Sequence, residues 1–191
     1  MKVVFLGDSI TEGVGASSEE NRYVDKVAEI CGVTTENFGV SGTRIARQTH
    51  PTVFRTFDYD FQMRAEVMSK DADMVFVFGG TNDYGHGDAK IGTPTDADSH
   101  TFYGGLNNLI KRLIETYGRE KLCFILPSRR YNDENPYGDG NKTTPTLALK
   151  GYVDIIKSVC EKNGIDYIDL YSEGFPKPLT RGDEFTTDGL H

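Results

Sequence analysis

The sequence predicts an α/β fold, a three-layer α/β/α sandwich around a five-stranded parallel sheet. Two observations point there. Short, continuous apolar runs of the kind buried on both faces of a parallel sheet recur along the chain. Between them lie stretches whose apolar residues repeat at helical spacing, and strand–helix alternation is the mark of this class. A length of 191 residues suits one domain, 1–191, with a sizeable core.

The elements follow in order. Val3 to Leu6 is the first strand, broken by Gly7-Asp8-Ser9. Tyr23, Val24, Val27, Ala28 and Cys31 form a helical face that Gly32 ends. Thr34 to Phe38 is a weakly apolar second strand, and Met74 to Phe78 a stronger third, stopped by Gly79-Gly80. Leu106, Leu109, Ile110, Leu113, Ile114 and Tyr117 mark a helix closed by Gly118. Leu122 to Leu126 is the fourth strand, before Pro127. Tyr152, Val153, Ile156, Val159 and Cys160 mark a long helix ended by Asn163-Gly164, and Tyr167 to Leu170 is the fifth strand. The expected strand order is 2-1-3-4-5. Ligands of such sheets bind beyond the carboxyl ends of the strands. Three long polar segments, 84–101, 128–146 and 171–191, fall on that edge, where long loops tend to be functional.

Composition narrows the function. The chain is 37% hydrophobic and 26% charged, as folded proteins are. With 21 basic and 29 acidic residues its formal charge is −8, which disfavours nonspecific contact with nucleic acid or an anionic membrane. Cys31, Cys123 and Cys160 form no CxxC pair and sit in apolar-patterned stretches, so they are expected to be buried free thiols. The odd count fits a reducing compartment. No apolar run approaches the ~20 residues of a membrane span, and the N-terminal apolar run is too short for a signal core. A cytoplasmic location is expected.

Four blocks carry chemistry. Gly7-Asp8-Ser9-Ile10-Thr11 follows the first strand and Asn37-Phe38-Gly39-Val40-Ser41-Gly42-Thr43 the second. Gly79-Gly80-Thr81-Asn82-Asp83 follows the third, and Asp188-Gly189-Leu190-His191 lies at the end. In this order and on these elements they resemble the GDSL-type, or SGNH, hydrolases, over nearly the whole chain. That resemblance implies a flavodoxin-like strand arrangement and a serine esterase needing no metal or organic cofactor.

The residues agree with this. A serine hydroxyl is a weak nucleophile and needs a base. Ser9 is the candidate nucleophile, His191 the base, and Asp188, three residues earlier, the group that orients the imidazole. The resemblance implies three donors for the oxyanion: the Ser9 N–H, the Gly42 N–H and the Asn82 side-chain amide. Glycine permits close backbone approach, and an amide donates without carrying charge. Asp8, Asp83, Thr11 and Thr43 read as braces for their loops. Arg44, Tyr84, Arg129 and Arg130 are candidates for the substrate rim. Arg44 and Arg47 have an alternative role as ion-pair partners for the excess acids. His86, Asp88, Asp96, Asp98 and His100 match no metal-ligand spacing and read as a flexible polar loop.

In the family a helix commonly follows the catalytic histidine, whereas this sequence stops at His191. The domain is therefore expected to lack that helix, with further residues missing from the sequence. A histidine that is truly terminal would sit on a frayed end beside a carboxylate, and activity would suffer.

The expected substrate is a small-molecule ester carrying a short or carbohydrate-borne O-acyl group such as acetate. No long apolar run suggests a lipid interface, and 128–146 is polar with Tyr131 and Tyr137. Alternatives are a lysophospholipase or thioesterase on the same residues, or a catalytically silent binding module. A nucleotide binder using Gly7 to Gly15 is disfavoured, since that stretch has neither a Walker lysine nor GxGxxG.

Overall fold

A computed structural model describes residues 1–174, 176–180, 182, 186 and 188–191. Five strands form one parallel sheet: β1 (Lys2–Gly7), β2 (Thr34–Gly39), β3 (Met74–Phe78), β4 (Leu122–Leu126) and β5 (Asp166–Asp169). Their order is β2-β1-β3-β4-β5, as expected. The chain leaves β1 toward β2 and then returns to the other side of β1 as β3. Ser9 thus emerges at the point where the strand order reverses, the usual ligand crevice of an open α/β sheet.

The helices are α1 (Ser9–Glu12), α2 (Tyr23–Cys31), α3 (Phe61–Ala65), α4 (Thr81–Gly85), α5 (Phe102–Tyr117), α6 (Leu149–Asn163) and α7 (Leu170–Glu173). Alternate residues of a strand face opposite sides of the sheet, which sorts the core into two layers. Val4, Leu6, Val75, Val77 and Phe124 pack with Phe61 of α3, Leu109 of α5 and Ile156 of α6. Val3 and Phe5 face the other way, onto Tyr23, Val24 and Val27 of α2. Gly32 and Gly164 close α2 and α6 in the left-handed conformation, as their positions suggested.

Two expectations need correction. Cys31 is exposed, because the packed face of α2 ends at Val27, one turn earlier. Cys123 and Cys160 are buried, and burial pushes their thiols up to about 11 and about 12. β5 stops at Asp169, whose carboxylate accepts the Ser172 N–H at 3.0 Å and starts a short helix with Leu170. Four short helices, α1, α3, α4 and α7, lie in segments too brief to show helical periodicity. No described helix is long and apolar enough to cross a membrane.

Candidate active site

Three of the four chemical blocks end a strand, and each of the four is held by its own local device. After β1, Asp8 caps α1 by accepting the Ile10 N–H at 3.0 Å, which fixes the turn that presents Ser9. After β2, Gly42 adopts φ 73°, a left-handed conformation natural to glycine. A Cβ there would meet the Phe57 ring at 2.5 Å. After β3, Gly80 turns the chain and Asn82 lies in the first turn of α4. At the far end of the chain, the Asp188 carboxylate accepts the N–H groups of Leu190 and His191 at 2.9 and 2.7 Å. The Tyr131 N–H donates to the Gly189 carbonyl at 2.9 Å and ties this segment to the loop after β4.

These devices converge. His191 Nε2 lies 2.8 Å from Ser9 Oγ, and His191 Nδ1 lies 2.7 Å from Asp188 Oδ2. The approach is close: a Cβ on Gly15 would stand 2.9 Å from His191 Cβ. Burial pushes the Asp188 carboxyl up. Hydrogen bonds from the His191 N–H, the His191 ring and the Leu190 N–H outweigh this and hold it below the usual carboxylate range. Asp188 is thus an ion at neutral pH, suited to support an imidazolium.

A serine hydroxyl, an imidazole within hydrogen-bond reach of it and a carboxylate behind the ring form the arrangement that nucleophilic acyl transfer requires. Residues 5–191 match the GDSL-like lipase/acylhydrolase family. The chain belongs to that family. It is a hydrolase of the esterase type, and as a GDSL-like acylhydrolase its sheet also superposes on solved relatives. A Lactobacillus plantarum protein is 26% identical over 100% of this chain and 87% of its own, with a TM-score of 0.76. A lipase/acylhydrolase from Enterococcus faecalis is 24% identical over 100% of this chain and 86% of its own, with a TM-score of 0.61. No curated protein matches the chain.

The remaining sequence candidates divide. Asn82 is buried and donates from its side-chain amide to the Thr43 carbonyl at 3.0 Å, which fixes the amide plane beside the Gly42 turn. Asp83 braces that turn, accepting the Ile45 and Ala46 N–H groups at 2.9 Å each. Thr11 and Thr43 brace too, through Tyr23 and the Val40 carbonyl. Arg129 lines an apolar cavity and pairs with Asp133 while lying over the Tyr171 ring. Arg130 lines a polar cavity and pairs with Asp139. Arg47 pairs with Asp60.

Two rim candidates are corrected. Tyr84 is 0% exposed, its ring against Tyr152 and its hydroxyl donated to the Asn132 carbonyl, so it belongs to the core. Arg44 is 3% exposed and is engaged by His86 and the Phe57 carbonyl. His86, expected in a flexible polar loop, is instead held at the end of α4 by Arg44 and packs against Phe57.

The sequence reading missed the cavity walls. An apolar cavity of about 430 Å³ borders His191, lined by Ile10, Tyr23, Phe78, Ile125, Leu170 and Leu190 among others. On the other side of Leu190 lies a polar cavity of about 450 Å³, with Arg130, Asn132, Asp139 and Asn141 in its wall. The apolar wall gathers single residues from several elements, so no run in the sequence could have announced it.

Asp8 has a second property. Its Oδ1 caps α1, but its buried Oδ2 has no hydrogen-bond partner among the described residues. Burial pushes its carboxyl up to about 7, against the Ile10 N–H. A carboxyl with a raised folded pKa holds its proton more tightly folded than unfolded. Stability is therefore lost as pH rises from about 4 to about 7. Asp8→Asn copies the neutral acid and keeps the capping oxygen. Its thermal midpoint, relative to wild type, is expected to climb between pH 4 and pH 8. A difference that stays constant across that range in thermal melts rules this out.

Proposed function

We propose that the protein is a serine esterase that works through an acyl-enzyme on Ser9. The observation that carries this is the continuous relay from Asp188 through His191 to Ser9 Oγ, with both hydrogen bonds under 3 Å. Ser9 Oγ attacks the ester carbonyl carbon while His191 Nε2 takes its proton. The developing oxyanion is received by the Ser9 and Gly42 N–H groups and the Asn82 amide. Donors fixed in advance cost no reorganisation when the charge forms. As the tetrahedral intermediate collapses, His191 returns the proton to the departing alcohol. Water, activated in turn by His191, then releases the acid and restores Ser9.

The two cavities support a substrate with unlike halves. The apolar one, bordering His191, suits a compact acyl group. The polar one suits a hydroxyl-bearing alcohol such as a sugar. A fluorophosphonate probe is expected to label Ser9. A series of nitrophenyl esters is expected to peak within the short to medium chains and to fall steeply for palmitate. Absence of labelling would refute the nucleophile, and preference for palmitate would refute the substrate class.

A further inference from the structure

Two of the three oxyanion donors come from different elements. Gly42 lies in the connection between β2 and α3, and Asn82 lies on α4. Their separation has to be held to a fraction of an ångström for both to serve one oxygen. The Asn82 amide on Thr43 and the Asp83 carboxylate on Ile45 and Ala46 are two ties between them. A third tie runs beside them.

We infer that Arg44 and His86 form a clamp that fixes the Gly42 turn against the Asn82 turn, making both of them positioning residues of the oxyanion pocket. The inference rests on the esterase reading of Ser9. Arg44 Nε and Nη2 both point at His86 Nδ1, at 3.1 and 2.6 Å. Arg44 Nη1 reaches the Phe57 carbonyl at 3.4 Å. The Phe57 ring stacks on His86 with centroids 6.3 Å apart, and the same ring is what a Cβ on Gly42 would strike. On the opposite side, the His86 N–H donates to the Asn82 carbonyl at 3.0 Å. The chain of contact therefore runs from Gly42 through Phe57, Arg44 and His86 to Asn82.

The chemistry of the pair supports this role. Arginine has only donors, so His86 Nδ1 must be an acceptor and the ring neutral, with its proton on Nε2. Burial and the nearby Arg44, Arg130 and Lys142 cations push His86 down to about 4, which keeps the acceptor available at neutral pH. The nearest carboxylate contact of the Arg44 guanidinium is long, 4.0 Å to Asp58. A surface ion pair would not account for so deep a cation, whereas a fixed structural fork does.

The test uses His86→Leu, His86→Asn and Arg44→Lys in the full chain. Asparagine keeps an acceptor near the Nδ1 position, and leucine keeps only bulk. Losing one oxyanion donor outright costs about 10²–10³ in turnover. Loosening the pocket with His86→Leu is expected to cost less, about 10- to 100-fold in kcat, with KM nearly unchanged. His86→Asn is expected to recover most of that loss. Should His86→Leu fail to fold, Arg44→Lys is expected to show the same split between kcat and KM. Independently of activity, nitrogen NMR of the wild type at pH 7 is expected to show His86 neutral and protonated at Nε2.

An active wild type whose His86→Leu variant turns over normally overturns the clamp, as does a loss confined to KM or one that asparagine fails to rescue. A doubly protonated His86 at pH 7 overturns it as well. A wild type that neither hydrolyses esters nor takes the fluorophosphonate label would instead overturn the esterase reading, while the NMR result would still report on the pair.

Discussion

Ser9→Ala is expected to lower kcat on a short-chain nitrophenyl ester by about 10⁶-fold, with the fold intact. The hydroxyl is the only atom removed, so no covalent intermediate can form and His191 is left without its proton donor. The side chain is small, and its neighbours in α1 are held by backbone bonds and by the Asp8 cap, none of which uses Ser9 Oγ. The thermal midpoint should therefore move little. What survives is the oxyanion pocket and substrate binding, which in comparable sites sustain about 10³–10⁴ over the uncatalysed reaction. Initial rates on purified variant and wild type check this. A residual rate within tenfold of wild type would mean that another group is the nucleophile.

Asp188→Asn is expected to reduce kcat by about 10⁴-fold at neutral pH. The local hydrogen bonds dictate why. Oδ1 of residue 188 accepts two backbone N–H groups, from Leu190 and His191. An asparagine keeps its oxygen on those donors, which turns its NH₂ toward His191 Nδ1. Nδ1 must then accept, the imidazole proton moves to Nε2, and the atom facing Ser9 Oγ can no longer take a proton. Geometry survives while the tautomer is wrong. Steady-state kinetics with nitrogen NMR of His191 would show the loss and its cause together. A variant with the inverted tautomer but wild-type turnover would remove Asp188 from the mechanism.

Much of the site was legible because three of its four pieces sit where a strand pattern ends. Gly7-Asp8-Ser9 interrupts a buried apolar run, and Gly79-Gly80 does the same before Asn82. The Asp188-to-His191 spacing allows one turn to bring carboxylate and ring together, and it does. Arg44, Tyr84 and His86 were misread for a single reason. A charged, phenolic or imidazole side chain in a polar segment looks solvent-facing until its partners are known, and these partners lie far along the chain. Arg44 meets a histidine 42 positions away, and the Tyr84 hydroxyl meets a carbonyl 48 positions away.

The sequence by itself determined the strands, the main helices and the four chemical blocks. These follow from short-range rules: the two-residue period of a strand, the 3.6-residue period of a helix, and the punctuation of glycine, proline and aspartate. Tertiary structure alone decided that residues 9 and 191 meet, that an apolar cavity borders His191, and that the Arg44 guanidinium is buried against His86. Those outcomes depend on sheet register and on how separate loops pack over one edge. Nothing in a local pattern records the distance between two segments that only the folded sheet brings together.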